Sequence, residues 1–154
     1  MENFFSGTLA LDLGNTNTVI AFQSEKNNKF NLIEIPGITT SPGVVPTAVW
    51  FDGQKNKTKI GLSALKMKRF SNSEIYFHSN FKRLIGNPIE RQKKKVLSPI
   101  EAGETFFKIL YENIPKTLKI ERLVLTAPID TYKGYRKWLV NLSEVFPVNE
   151  IALV

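Results

Sequence analysis

The sequence predicts an alternating α/β fold, and three features predict it: two apolar runs flanking a polar turn near the start, a capped amphipathic helix in the middle, and a strand-helix-strand run at the end. Leu9, Leu11 and Leu13 alternate with Ala10 and Asp12, the period of a half-buried strand, and Val19 to Phe22 is a β-branched run ending in an aromatic. Phe30 to Ile35 reads as a third strand, after which Pro36, Gly37, Pro42, Gly43 and Pro46 mark a stiff, extended connection. Thr47 to Phe51 is a short strand ended by the Asp52-Gly53 turn, Lys59 to Leu62 is another, and Ser63 to Phe70 is a basic helix. Phe77, Phe81, Leu84 and Ile85 fall on one helical face, and Gly86, Asn87 and Pro88 stop that helix. Ser98, Pro99 and Glu101 form a capping box with proline at the first helical position, and Phe107, Leu110 and Ile114 continue the apolar stripe until Pro115. Leu123 to Leu125 is a buried strand closed by Thr126-Ala127-Pro128. Tyr135, Trp138, Leu139, Leu142 and Phe146 then mark an amphipathic helix before a last strand at Ile151 to Val154.

Composition narrows the classes. A chain of 154 residues at 42% hydrophobic can bury one core. It has no cysteine, which excludes disulfides and allows a reducing interior. The first residues lack a basic leader, and no segment approaches the roughly 20 apolar residues that span a bilayer, so a cytoplasmic protein without membrane partners is expected. The net charge of +7 favours anionic partners without choosing among nucleotide, nucleic acid and acidic protein. An apolar strand at the very end predicts a piece of a longer protein.

The turn from Asp12 to Thr18 carries the chemistry. Gly14 admits close backbone approach, and Asn15, Thr16, Asn17 and Thr18 bring amides and hydroxyls that can donate to phosphate oxygens. A carboxylate beside phosphates is repulsive unless a cation lies between them, so Asp12 points to a Mg²⁺ held through water. This is not a Walker loop, because it has no Gly-Lys-Ser/Thr and the chain after it continues as strand. An ordinary hairpin with a polar turn remains the competing reading. His78 is the only histidine, which leaves a histidine triad or a multi-histidine metal site no second residue, while Trp50 and Trp138 suit core positions.

The segments Leu11 to Thr18, Phe81-Lys82-Arg83-Leu84-Ile85-Gly86 and Leu123 to Val154 together resemble the first lobe of the ATPase domain in DnaK-type seventy-kilodalton heat-shock chaperones. The resemblance spans the chain, and Lys-Arg-Leu-Ile-Gly is its most specific part; the Asp-x-Gly motif is shared across the actin, sugar kinase and chaperone superfamily. It implies a ribonuclease-H-like (actin-like ATPase) lobe: a mixed sheet with flanking helices, with a core subdomain of about residues 1–40 and 115–154 and a small, shortened outer subdomain of about 41–114. By the same resemblance, Asp12 holds Mg²⁺ through water and Gly14, Asn15, Thr16 and Asn17 form the first phosphate loop for ATP or ADP. Lys82 is then the catalytic lysine, which would stabilise γ-phosphate charge and orient the attacking water. Arg83 matches an arginine near the adenine, and Pro128 and Arg136 match a relay to the substrate-binding domain. The partners implied are unfolded client proteins, a J-domain co-chaperone and a nucleotide-exchange factor. The chain departs from the family at Asn15, where a threonine is usual, at Ile129-Asp130-Thr131-Tyr132-Lys133, and in its short stretch between Gly86 and Ser98. It also lacks the family's second phosphate loop, so efficient hydrolysis and tight binding of ATP by this polypeptide alone are not expected.

Two other readings stand beside this one. Asp-Leu-Gly-Asn-Thr-Asn-Thr also resembles the opening of type III pantothenate kinases, which share the superfamily fold and which Asn15 fits better. A basic, non-enzymatic module for RNA or an acidic protein would draw on Lys93, Lys94 and Lys95 and on Lys66, Lys68 and Arg69. Aromatics interleaved with the charges, which RNA recognition favours, are absent around Lys93 to Lys95.

Overall fold

The computed structural model describes residues 4–71, 76–86, 96–127, 133–142 and 145–154. Strand β1 (Phe5–Leu13) buries Gly7, Leu9, Leu11 and Leu13 on one face and turns Asp12 to solvent, as a period of two dictates. It pairs antiparallel with β2 (Asn17–Ser24), with Asp12 opposite Val19 and Leu13 opposite Thr18, so the polar turn is the tip of a hairpin. Two short strands flank β2: β3 (Phe30–Leu32) and β4 (Val44–Pro46). The expected third strand is thus shorter than Phe30 to Ile35, because Ile33 and Ile35 leave the ladder to bury in the core. On the other side of β1 lies β8 (Leu118–Leu125), parallel to it, and beyond that β9 (Glu150–Leu153), parallel to β8. The sheet is therefore mixed, in the order β3-β2-β1-β8-β9 with β4 beside β2.

Helices α3 (Pro99–Glu112) and α4 (Lys133–Asn141) flank this sheet. The capping box forms: the Ser98 hydroxyl accepts from the Glu101 amide at 3.1 Å, and the Glu101 carboxylate accepts from the Ser98 amide at 2.7 Å. From α3, Phe106, Phe107 and Leu110 join Leu9, Leu11, Leu123 and Trp138 in one core. Phe107 is its hub, with ring centroids 5.7 Å from Phe106, 5.9 Å from Trp138 and 5.8 Å from Phe146. Both tryptophans are buried, as their apolar setting predicts.

A second sheet runs β6-β5-β7, from β5 (Ala48–Asp52), β6 (Lys57–Ile60) and β7 (Phe77–Ser79). Helix α1 (Gly61–Phe70) packs on it through Ala64, against Ala48 and Trp50. The single helix expected across Phe77 to Ile85 does not form. Phe77–Ser79 instead completes the open edge of β5, with Phe77 opposite Trp50, and Asn80 in the left-handed region (φ 58°) turns the chain into a single helical turn, α2 (Phe81–Leu84). Phe81 and Ile85 bury while Leu84 is half exposed, so the apparent helical stripe mixed residues of two elements.

Candidate functional site

Because β1, β8 and β9 run parallel, their carboxyl ends emerge at one edge of the sheet, the edge where α/β proteins place ligands. Asp12 lies at the end of β1 and Thr126 just past the end of β8, and the Thr126 hydroxyl donates to the Asp12 carboxylate. The Thr126 amide holds this register by donating to the Leu11 carbonyl at 3.1 Å. Lys82 arrives from α2: its ammonium donates to the Leu13 carbonyl, 69 residues away in sequence, and lies 5.6 Å from the centre of the Tyr135 ring. An exposed carboxylate, a hydroxyl and a half-buried ammonium thus share one strand-end edge.

The electrostatics follow from that arrangement. Burial pushes the Lys82 ammonium below its ordinary pKa, and the nearby Asp12 charge opposes the shift. Tyr135 is pushed up by burial and then by the same Asp12 charge, so it stays neutral. Its hydroxyl is buried with no hydrogen-bond partner among the described residues. Neither Tyr135 nor Thr126 is legible as a site residue in the sequence. Tyr135 counts there as one apolar position of a helix face, and a threonine after a strand is commonplace.

Two glycine positions build the edge. A Cβ on Gly14 would lie 2.2 Å from the Asn17 carbonyl oxygen, so glycine is required there for the turn to close on itself, before any ligand is considered. Gly86 (φ 86°) meets Gly134 backbone to backbone, a Cβ on Gly134 falling 3.0 Å from the Gly86 Cα. That contact sets the start of α4, with Tyr135, against the exit of α2, with Lys82. The turn is further anchored by Thr18, whose buried hydroxyl lies 2.9 Å from that of Thr47, and by the Thr47 amide donating to the Thr16 carbonyl at 2.8 Å. Asn15 is half-buried, and Thr16 and Asn17 are exposed.

The remaining candidates distribute as follows. Arg83 is exposed on α2 next to Lys82, and Arg136 is exposed on α4. Pro128, residues 129–132 and Lys93 to Lys95 lie outside the described residues. Lys66, Lys68 and Arg69 are exposed on α1. His78 is half-buried in β7, where burial lowers its pKa. No cluster of three or more metal-ligating side chains occurs among the described residues. Among the same residues no helix is long and apolar enough to cross a membrane. No protein-family model matches this chain, and a search of curated proteins gives no match.

Proposed function

We propose that this chain forms one wall of a Mg-nucleotide site in a ribonuclease-H-like (actin-like ATPase) lobe, as the first part of the ATP-binding domain of a DnaK-like chaperone. The observation that carries the reading is the Lys82 ammonium seated on the Leu13 carbonyl, beside the Asp12 carboxylate and the turn that begins at Gly14. The strand order supports the fold: an antiparallel β1-β2-β3 meander whose β1 continues in parallel to β8 and β9.

The residues fit the group. An exposed carboxylate such as that of Asp12 suits a hydrated Mg²⁺, which keeps most of its waters and takes few protein ligands. When bound, Mg²⁺ would neutralise charge on the β- and γ-phosphate oxygens. Lys82 directs one of its three donors to Leu13 and, among the described residues, has two left for a phosphate. Its partial burial strengthens that interaction, since the ammonium is already stripped of part of its water. Asn15, Thr16 and Asn17 offer amide and hydroxyl donors from the turn. Asp12, Thr16 and Asn17 are open to solvent, so this wall covers one side of a triphosphate and binds it weakly, with slow hydrolysis. Client proteins, a J-domain co-chaperone and a nucleotide-exchange factor belong to the same proposal, as does a cytoplasmic location.

Titration of the ¹⁵N-labelled chain with Mg-ATP tests the reading. Saturable amide shifts are expected at residues 13–17, at Lys82 and at Thr126, with an affinity of ~1 mM. Shifts confined to other regions, or none up to ~10 mM, refute it.

A further inference from the structure

We infer that the cleft between the polar turn and the small sheet is a second binding site, for a hydroxylated small organic anion. This cleft shares Asn15, Thr16 and Asn17 with the turn of the nucleotide reading, but it opens toward β7 and α1, and neither Asp12 nor Lys82 lines it, so shifts at Ser79 and Asn80 tell the two sites apart. It encloses about 370 Å³, within the ordinary range for small-molecule sites.

Its walls divide by chemistry. Asn15 and Asn17 line it from the turn, and Ser79 and Asn80 from the end of β7, which brings amides and a hydroxyl that both donate and accept. Among the described residues, Lys68 of α1 is the cation of the lining, and no carboxylate lines it. Its ammonium lies 4.6 Å from the centre of the Phe77 ring, which sets the positive charge over the small sheet while the side chain stays exposed. Phe77 and Leu65 add an apolar strip. An apolar ligand would strand the amides and hydroxyls without partners, and a cationic one would meet Lys68 with no carboxylate among the described lining residues to offset it. A ligand with several hydroxyls, a compact carbon face and one anionic group satisfies all three walls.

The backbone of Asn80 permits a clean test. Its left-handed φ of 58° suits glycine, so Asn80→Gly removes the amide side chain without strain. The probe is glucose 6-phosphate, with glucose and inorganic phosphate as controls, titrated into the ¹⁵N-labelled full chain. Glucose 6-phosphate is expected to give saturable shifts at the amides of Asn15, Asn17, Ser79 and Asn80. Loss of one charged hydrogen bond corresponds to at least a ~10-fold change, so glucose, and separately Lys68→Met, should each bind that much more weakly. Asn80→Gly should also weaken binding of glucose 6-phosphate, and inorganic phosphate should itself bind more weakly than glucose 6-phosphate, while the spectra of both variants keep the dispersion of the parent. The inference is overturned if glucose binds as tightly as its phosphate, if neither variant weakens binding, if the shifts centre on Asp12 and Thr126, or if no shifts occur up to ~10 mM.

Discussion

Replacing Lys82 by methionine removes the ammonium and keeps an unbranched stem that can fill the same half-buried slot. Loss of a hydrogen bond from a charged donor costs about 1.5–3 kcal/mol, which is ~10- to 150-fold in affinity. Starting from ~1 mM, the variant falls to ~10 mM or weaker, so its Mg-ATP titration stays linear where that of the parent bends. Stability should change much less. The variant loses the bond to the Leu13 carbonyl, but it also sheds the burial cost that lowers the lysine pKa, and the two effects oppose each other. Urea unfolding should therefore stay within ~1 kcal/mol of the parent. Asp12→Asn provides the complementary arm, since it should weaken Mg-ATP binding while leaving metal-free ATP equal or tighter, the like-charge repulsion being gone. If Lys82→Met binds Mg-ATP as tightly as the parent while folded, the ammonium does not face the phosphates and the proposed site fails.

Other expectations follow from the packing and the titrating groups. Phe107→Ala empties the hub of three ring contacts and should cost about 3–5 kcal/mol in urea unfolding; a loss under ~1 kcal/mol would mean that the aromatic cluster is not cooperative. Gly134→Ala inserts a methyl against the Gly86 backbone and should destabilise by ~1–3 kcal/mol, with amide shifts at both Lys82 and Tyr135; shifts confined to α4 would disprove the coupling of the two helices. Burial lowers the His78 pKa below 6.5, so between that lowered value and 6.5 the unfolded chain binds more protons and stability falls as pH drops. Unfolding at pH 7 and pH 5 should differ more for the parent than for His78→Val, and equal differences would contradict the assignment.

Local chemistry is legible without the tertiary structure. The β1-β2 hairpin follows from an apolar period of two on each side of a polar turn, and the α3 capping box from Ser98, Pro99 and Glu101, because each depends on residues within a few positions. The stretch from Phe77 to Ile85 defeats such reading. A few apolar residues satisfy a helical stripe and a strand pattern alike, and the open edge of β5, donated by residues far upstream, decides between them. Gly14 shows a subtler divergence: its identity is foreseeable from the motif, yet the immediate reason for it is the Asn17 carbonyl oxygen across the turn.

What the sequence alone determined is an α/β chain with an acid-and-glycine turn, since alternation, capping and turn composition are properties of neighbouring residues. The tertiary structure decided which side chains meet at that turn. Thr126 reaches Asp12 because β8 runs parallel to β1, and Lys82, bonded to Leu13, lies beside Tyr135 where Gly86, just past α2, packs against Gly134 of α4. Contacts between residues tens of positions apart are set by how the elements pack, and no short window of sequence carries that geometry.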